Sequence, residues 1–220
     1  MSALAYGDLA WKTSRIWMAP LVRALTRARV YGAERMPMNG GLVLAINHLA
    51  WIDIPLVGTL SPRNINYVAK TELEAVPGLG RYISWHGIIA IRRGESDREA
   101  VRQMRSYAHD GRAVGVFVEG TRQRNGRPGH AQPGAAMVAL QEQVPVVPIA
   151  VYGTQKWRLG NFAPCSIAVG APFMLERGGG AAGKAYREAS AEIERRLNVL
   201  FDWLAELQAR GRPRGEEPPL

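Results

Sequence analysis

The chain has 220 residues, 47% of them apolar and 8% aromatic, enough to bury one substantial core and too few to require two. Its 28 Lys and Arg against 19 Asp and Glu leave a net charge of +9, an attraction to polyanions that takes in nucleic acid and anionic lipid alike. A single cysteine, Cys165, excludes an internal disulfide framework and a CxxC metal site, and fits a reducing compartment such as the cytoplasm.

No signal-peptide pattern opens the sequence. Residues 11–29, WKTSRIWMAPLVRALTRAR, place Trp17, Met18, Leu21, Val22 and Leu25 on one helical face and Lys12, Arg23 and Arg27 opposite. A basic amphipathic helix carrying tryptophan suits a membrane interface; the same stripe would equally cover a core, and the sequence leaves both open. Pro20 marks either a kink or the start of a second helix. The most apolar stretch, 41–60, is broken by Asn47, His48 and Asp53 before it reaches the length of a transmembrane helix.

From residue 41 onward short apolar runs alternate with helical stretches: LVLAI, INYVA, GIIAI, AVGVFV and VPIAV, each bounded by turn or polar residues. That alternation argues an α/β domain, expected as one unit over 31–210 with a mostly parallel sheet flanked by helices and an amphipathic amino-terminal region over 1–30. SDREAVRQMRSYAHDG is a helix, opening with Ser96 and Glu99 in capping-box spacing, stopping at Gly111, and carrying Val101, Met104 and Ala108 on one face. Near the end, Ile193, Leu197, Leu200, Phe201, Leu204 and Leu207 follow helical spacing, and Glu192 stands four residues before Arg196. The glycine-rich 178–183 reads as a flexible connection, and 211–220 has too little apolar surface to offset its ordering entropy, which predicts a disordered tail.

The segment NHLAWID, 47–53, follows the buried run LVLAI directly. An alcohol attacking a thioester must lose its proton, which a neutral imidazole accepts near pH 7, and a carboxylate on the other ring nitrogen would fix the tautomer. Five residues of regular helix turn about 500°, leaving His48 and Asp53 about 140° apart, so the pair requires a turn that enters a helix. Asp53-Ile54-Pro55 is a suitable helix start.

His48 and Asp53, as HxxxxD, resemble the first motif of the glycerolipid acyltransferase family, typified by bacterial 1-acylglycerol-3-phosphate acyltransferases. Three further segments resemble its other motifs in order: GIIAIRR (87–93), with Arg93 at the arginine position; FVEGTR (117–122); and VPVVPI (144–149), with Pro145 and Pro148 at the matching positions. Arg92 departs from the pattern, standing where many members carry an acidic or amide residue. AKTELEAVPGLG (69–80) also resembles the family, which places a lysine, here Lys70, to meet the acceptor phosphate. The resemblance spans roughly 30–170.

What the resemblance implies is transfer of a fatty acyl group to the free hydroxyl of 1-acylglycerol-3-phosphate, giving phosphatidic acid, with His48 as base and Asp53 as its partner. Glu119, Gly120, Thr121 and Arg122 would shape the acceptor pocket, Pro145 and Pro148 would help form the acyl and acceptor pocket, and Lys70, Arg93 and Arg122 would neutralise the phosphate. The expected donor is acyl-CoA or acyl-carrier protein as co-substrate, without a further cofactor, and the expected partner is an anionic membrane surface on the cytoplasmic face. Another lysolipid acceptor, such as lyso-ornithine lipid, and a non-catalytic membrane-binding protein stay open as alternatives. His86, His109 and His130 lack zinc-site spacing, no Walker-type or GxGxxG loop follows a strand-like run, and no nucleic-acid-binding motif accompanies the basic residues. Neither a metal nor nucleic acid is therefore expected.

Overall fold

The structure, a computed structural model, describes residues 3–70, 89–91, 97–176 and 182–220. Helix α1 (Ala3–Thr26) leads into strands β1 (Arg29–Tyr31) and β2 (Leu42–Ile46), helix α2 (Asp53–Leu60), and strands β3 (Ile65–Lys70) and β4 (Ile89–Ile91). Helix α3 (Asp97–His109), strand β5 (Ala113–Phe117), helix α4 (Pro133–Glu142), strands β6 (Val146–Tyr152) and β7 (Ser166–Val169), and helix α5 (Ala182–Ala209) complete the order. Among the described residues these strands form one seven-stranded sheet in the order β1-β7-β6-β2-β5-β3-β4. Every adjacent pair is parallel except β6 with β7.

The sheet is covered on both faces, which is why LVLAI reads as an unbroken apolar run. Leu42, Leu44 and Ile46 of β2 face a core shared with α1 and α2, through Val22, Leu56, Val57 and Leu60. Val43 and Ala45 face the other, shared with α3, α4 and α5 through Met104, Ala108, Val138, Ile193 and Leu197. The six apolar positions of the last helix, Ile193 to Leu207, are all buried, as their spacing requires, and Glu192 meets Arg196 at 2.6 Å. Glu99 behaves otherwise than a capping box: its carboxylate bonds forward to Arg102 and Gln103, while Ser96 lies outside the described residues. The glycine-rich connection lies outside them too, except for Ala182 and Gly183, which begin α5.

The apolar face expected of α1 is split in two. Val22 is buried, Met18 and Leu25 are half-buried against the body, while Ile16, Trp17 and Leu21 are 78%, 61% and 51% exposed. The inward stripe is fixed by polar contacts as well: Trp11 Nε1 donates to Gly58 O at 3.0 Å and Arg15 Nε to Thr59 O at 3.1 Å. Both acceptors lie in the last turn of α2, where helix carbonyls lack intrahelical donors. The helix runs through Pro20, which sits on its exposed side. No helix among the described residues is long and apolar enough to cross a membrane.

Residues 211–220, expected to be disordered, instead lie against the sheet edge. Arg212, 8% exposed, donates to Arg27 O at 2.8 Å and Cys165 O at 3.1 Å, and Ala171 N–H donates to Leu220 O at 2.8 Å. One buried guanidinium capping two carbonyls supplies contacts that an average over composition does not register.

Candidate active site

Parallel strands bring their carboxyl ends to one edge of a sheet, and loops leaving neighbouring strands there converge. β2 ends at Ile46; Asn47 and His48 follow, the chain turns through 49–52, and α2 begins at Asp53. This is the turn-into-helix that the His48–Asp53 spacing demands. His48 Nδ1 and Asp53 Oδ2 are 2.9 Å apart, and the same oxygen accepts the N–H groups of Leu49 at 2.7 Å and Ala50 at 2.8 Å. The carboxylate is fully buried and sits in the first turn of α2, where the helix dipole favours negative charge. With Nδ1 occupied by Asp53, Nε2 remains to take a proton.

Three further contacts fix the histidine. Its backbone N–H donates to Glu119 Oε2 at 3.0 Å, and its carbonyl accepts Gln123 N–H at 2.8 Å. Its ring stacks on Phe117 at 4.2 Å between centroids, and Phe117 in turn stacks on Tyr67 at 5.7 Å. Immediately upstream, Asn47 is fully buried and pairs with Val151 of β6 in both directions, Nδ2 to O at 3.1 Å and Oδ1 from N at 2.7 Å. The amide thus ties the end of β2 to β6 as a rung of sheet would. A polar residue directly after five buried apolar ones must find such partners, and that was the signal for Asn47 in the sequence.

Glu119 is therefore a holder of the His48 backbone. It is 6% exposed, accepts the His48 N–H and, at 3.4 Å, that of Gly129. Burial pushes its carboxyl up to about 7, against the pull of its own and the Gly129 and His48 backbone N–H groups, and Asp53 pushes it further up. A carboxyl raised on folding contributes stability that is present below its unfolded value of 4.5 and is lost as pH rises through about 7. The difference in unfolding free energy between wild type and Glu119→Gln, followed by urea denaturation, is expected to fall by up to about 3 kcal/mol between about pH 4.5 and 7.5. Parallel pH profiles for the two proteins would refute a buried, raised carboxyl.

Gly120 follows in a left-handed conformation (φ 70°) that closes the turn through its N–H to Phe117 O at 3.0 Å. Thr121 and Arg122 are exposed beyond it. Lys70 ends β3, so its backbone stands at the same end of the sheet as His48; Arg93 and its neighbour Arg92 lie outside the described residues. Pro145 stands just before β6 and Pro148 within it, beside β2. Pro145 O accepts Val43 N–H near the start of β2, and Pro148 pairs with Ala45 near its end, about 16 Å and about 10 Å from His48 along the strand. Pro148 lies inside a central strand instead of at an edge; its missing N–H faces the interval between the Gly170 bond and the Val146–Phe173 bridge. Cys165 is buried, and burial pushes its thiol up to about 12, so it stays protonated near neutral pH.

Beside His48 opens a cavity of about 470 Å³, lined by Leu49, Ala50 and Trp51 after β2, Arg122, Gln123 and Arg124 after β5, and Gln155, Trp157, Arg158 and Leu159 after β6. Trp51 and Trp157 meet edge to face at 5.6 Å, and Trp157 Nε1 donates to Leu25 O at the end of α1 at 2.9 Å. No cluster of three or more metal-ligating side chains occurs among the described residues.

A model of the Acyltransferase family matches residues 27–152. The chain is 36% identical over 147 residues to a lyso-ornithine lipid O-acyltransferase of Pseudomonas aeruginosa, a match covering 65% of this chain and 54% of that one. It is 29% identical over 207 residues to a 1-acyl-sn-glycerol-3-phosphate acyltransferase of the same organism, covering 90% and 75%. The crystal structure of the 1-acyl-sn-glycerophosphate acyltransferase PlsC from Thermotoga maritima shares the fold, with a TM-score of 0.69 at 23% identity over 91% of this chain and 80% of that one. Several of the curated relatives are matched over only about half their length, 54%, 42% and 41%.

Proposed function

The chain belongs to the Acyltransferase family, and from that premise we propose that it transfers a fatty acyl group from a thioester, acyl-CoA or acyl-carrier protein, to the free hydroxyl of 1-acylglycerol-3-phosphate, yielding phosphatidic acid. The observation that carries the reading is the His48–Asp53 pair, set at the end of the central strand with Nε2 left to act. Nε2 takes the hydroxyl proton as the oxygen attacks the thioester carbonyl, forming the C–O bond and a tetrahedral oxyanion. The oxyanion collapses, the C–S bond breaks, and the imidazolium returns its proton to the departing thiolate. Asp53 balances the imidazolium in the interval.

Arg122, exposed at the site and able to fork onto phosphate, supports a phosphorylated acceptor, with Lys70 and Arg93 as its proposed companions. The 36% identity to a lyso-ornithine lipid O-acyltransferase favours a second reading, the same chemistry on a lyso-ornithine lipid. One assay separates them: mixed vesicles holding equal lysophosphatidate and lyso-ornithine lipid, with oleoyl-CoA or oleoyl-carrier protein as donor. Phosphatidic acid as the main product supports the first reading, acylated ornithine lipid the second, and no product with either donor leaves a membrane-binding protein without turnover.

We also propose that α1 docks the protein on the cytoplasmic face of an anionic membrane, since Ile16, Trp17 and Leu21 project outward with Lys12 and Arg23 exposed on the same helix. The triple change Ile16→Ser, Trp17→Ser, Leu21→Ser leaves the inward stripe intact. It is expected to weaken sedimentation with anionic vesicles at least about tenfold, with an unchanged melting temperature. Undiminished vesicle binding would assign docking to another surface.

A further inference from the structure

The cavity beside His48 has a composition that the acceptor does not account for. Three guanidiniums, Arg122, Arg124 and Arg158, enter its lining, and among the described residues no carboxylate does. Arg122 belongs to the acceptor reading; Arg124 and Arg158 are left over. Arg158 Nη1 is fixed by the carbonyls of Gln155 at 3.0 Å and Trp157 at 2.7 Å, so one cation is held in place before any ligand arrives. Arg124 is exposed and forms no ion pair among the described residues. The remaining wall is apolar: Leu49, Trp51, Trp157 and Leu159.

Position separates the Arg158 side of this cavity from Lys70 and Arg93, with Arg122 between the two sides. In the sheet order β6-β2-β5-β3-β4, the strand that ends in Lys70 and the one that precedes Arg93 lie on the far side of β5, whereas Gln155 to Leu159 follow β6, on the other side of His48. A thioester and an alcohol reacting at one imidazole must approach it from two directions. Every biological acyl thioester of the two kinds considered, CoA or carrier protein, carries a phosphate at the end of the same pantetheine arm.

We propose that this cavity receives the acyl donor, with Arg124 and Arg158 binding the phosphate of its phosphopantetheine arm and the two tryptophans and Leu159 flanking the arm. The proposal rests on thioester-to-hydroxyl transfer as read above, but not on which lysolipid accepts. Guanidiniums give charge-assisted bonds to phosphate, and Arg158, already held, adds its share with little ordering cost.

The test uses the full chain carrying Arg124→Ala and Arg158→Ala together. Donor KM, at saturating lysolipid, is expected to rise at least about tenfold while lysolipid KM, at saturating donor, holds. Oleoyl-CoA and oleoyl-carrier protein are run in parallel; equal rises place the cations on the shared arm, and a rise with only one donor would overturn that assignment. A shift in lysolipid KM, or in neither constant, would overturn the donor site itself. Calorimetry with CoA alone is independent of turnover: weaker binding to the double variant upholds the site even where every lysolipid tried fails as acceptor, and equal binding refutes it. Arg→Lys replacements at both positions are expected to recover part of the affinity, since charge remains and the planar fork is lost.

Discussion

His48→Ala is expected to lower kcat/KM for acyl transfer about 10³-fold, inside the 10²–10⁴ that a positioned general base contributes. The geometry makes this a loss of chemistry with little loss of fold. The loop after β2 keeps its other anchors, because the Leu49 and Ala50 N–H groups still bind Asp53 and the backbone at 48 still binds Glu119 and Gln123. What alanine removes is the imidazole paired with Asp53 and one face of the Phe117 stack. His48→Gln sharpens the result: an amide retains a hydrogen bond to Asp53 and cannot take the proton, so it should be as inactive as alanine. Rates are measured beside melting curves and vesicle sedimentation for all three proteins. More than a tenth of wild-type turnover in both variants would remove His48 from the role of base.

The sequence made the reacting pair legible because its constraint is local. Five residues cannot put His48 and Asp53 together on a helix, so a strand, a turn and a helix start had to occur between Ile46 and Asp53, and they do. The long helices were legible for the same reason, Ile193 to Leu207 repeating one period. What supports the pair is not local: Glu119 is 71 residues from His48 and Val151 is 104 from Asn47. A glutamate that holds a backbone N–H cannot be told in sequence from one that lines an acceptor pocket. Strands β1 and β7 were missed because three or four residues are too few to show a period. In α1, apolar residues occupy both an inward and an outward stripe, and only packing against α2 divides Val22 from Trp17.

Asp53→Asn is the second change with a large expected effect, and it separates charge from shape. All three bonds of the carboxylate fall on Oδ2: from the His48 ring and from the backbone of Leu49 and Ala50. If the asparagine carbonyl occupies that place, the backbone bonds survive and only the charge is lost; if its NH₂ does, donors face donors and the helix start loosens. The first arrangement is the lower in energy, so the cost in stability is expected at about 1–3 kcal/mol, the worth of charged hydrogen bonds at a helix amino terminus. Catalysis should lose far more, about 10³–10⁴-fold in kcat, as an asparagine does in hydrolase triads of the same logic. Asp53 is fully buried and touches neither reactant, so both KM values should stay within a few-fold. A collapse of KM with kcat preserved would show that the carboxylate only shapes the loop. A fall confined to kcat would show that its charge acts while the imidazolium exists, in surroundings dry enough for one buried carboxylate to decide the rate.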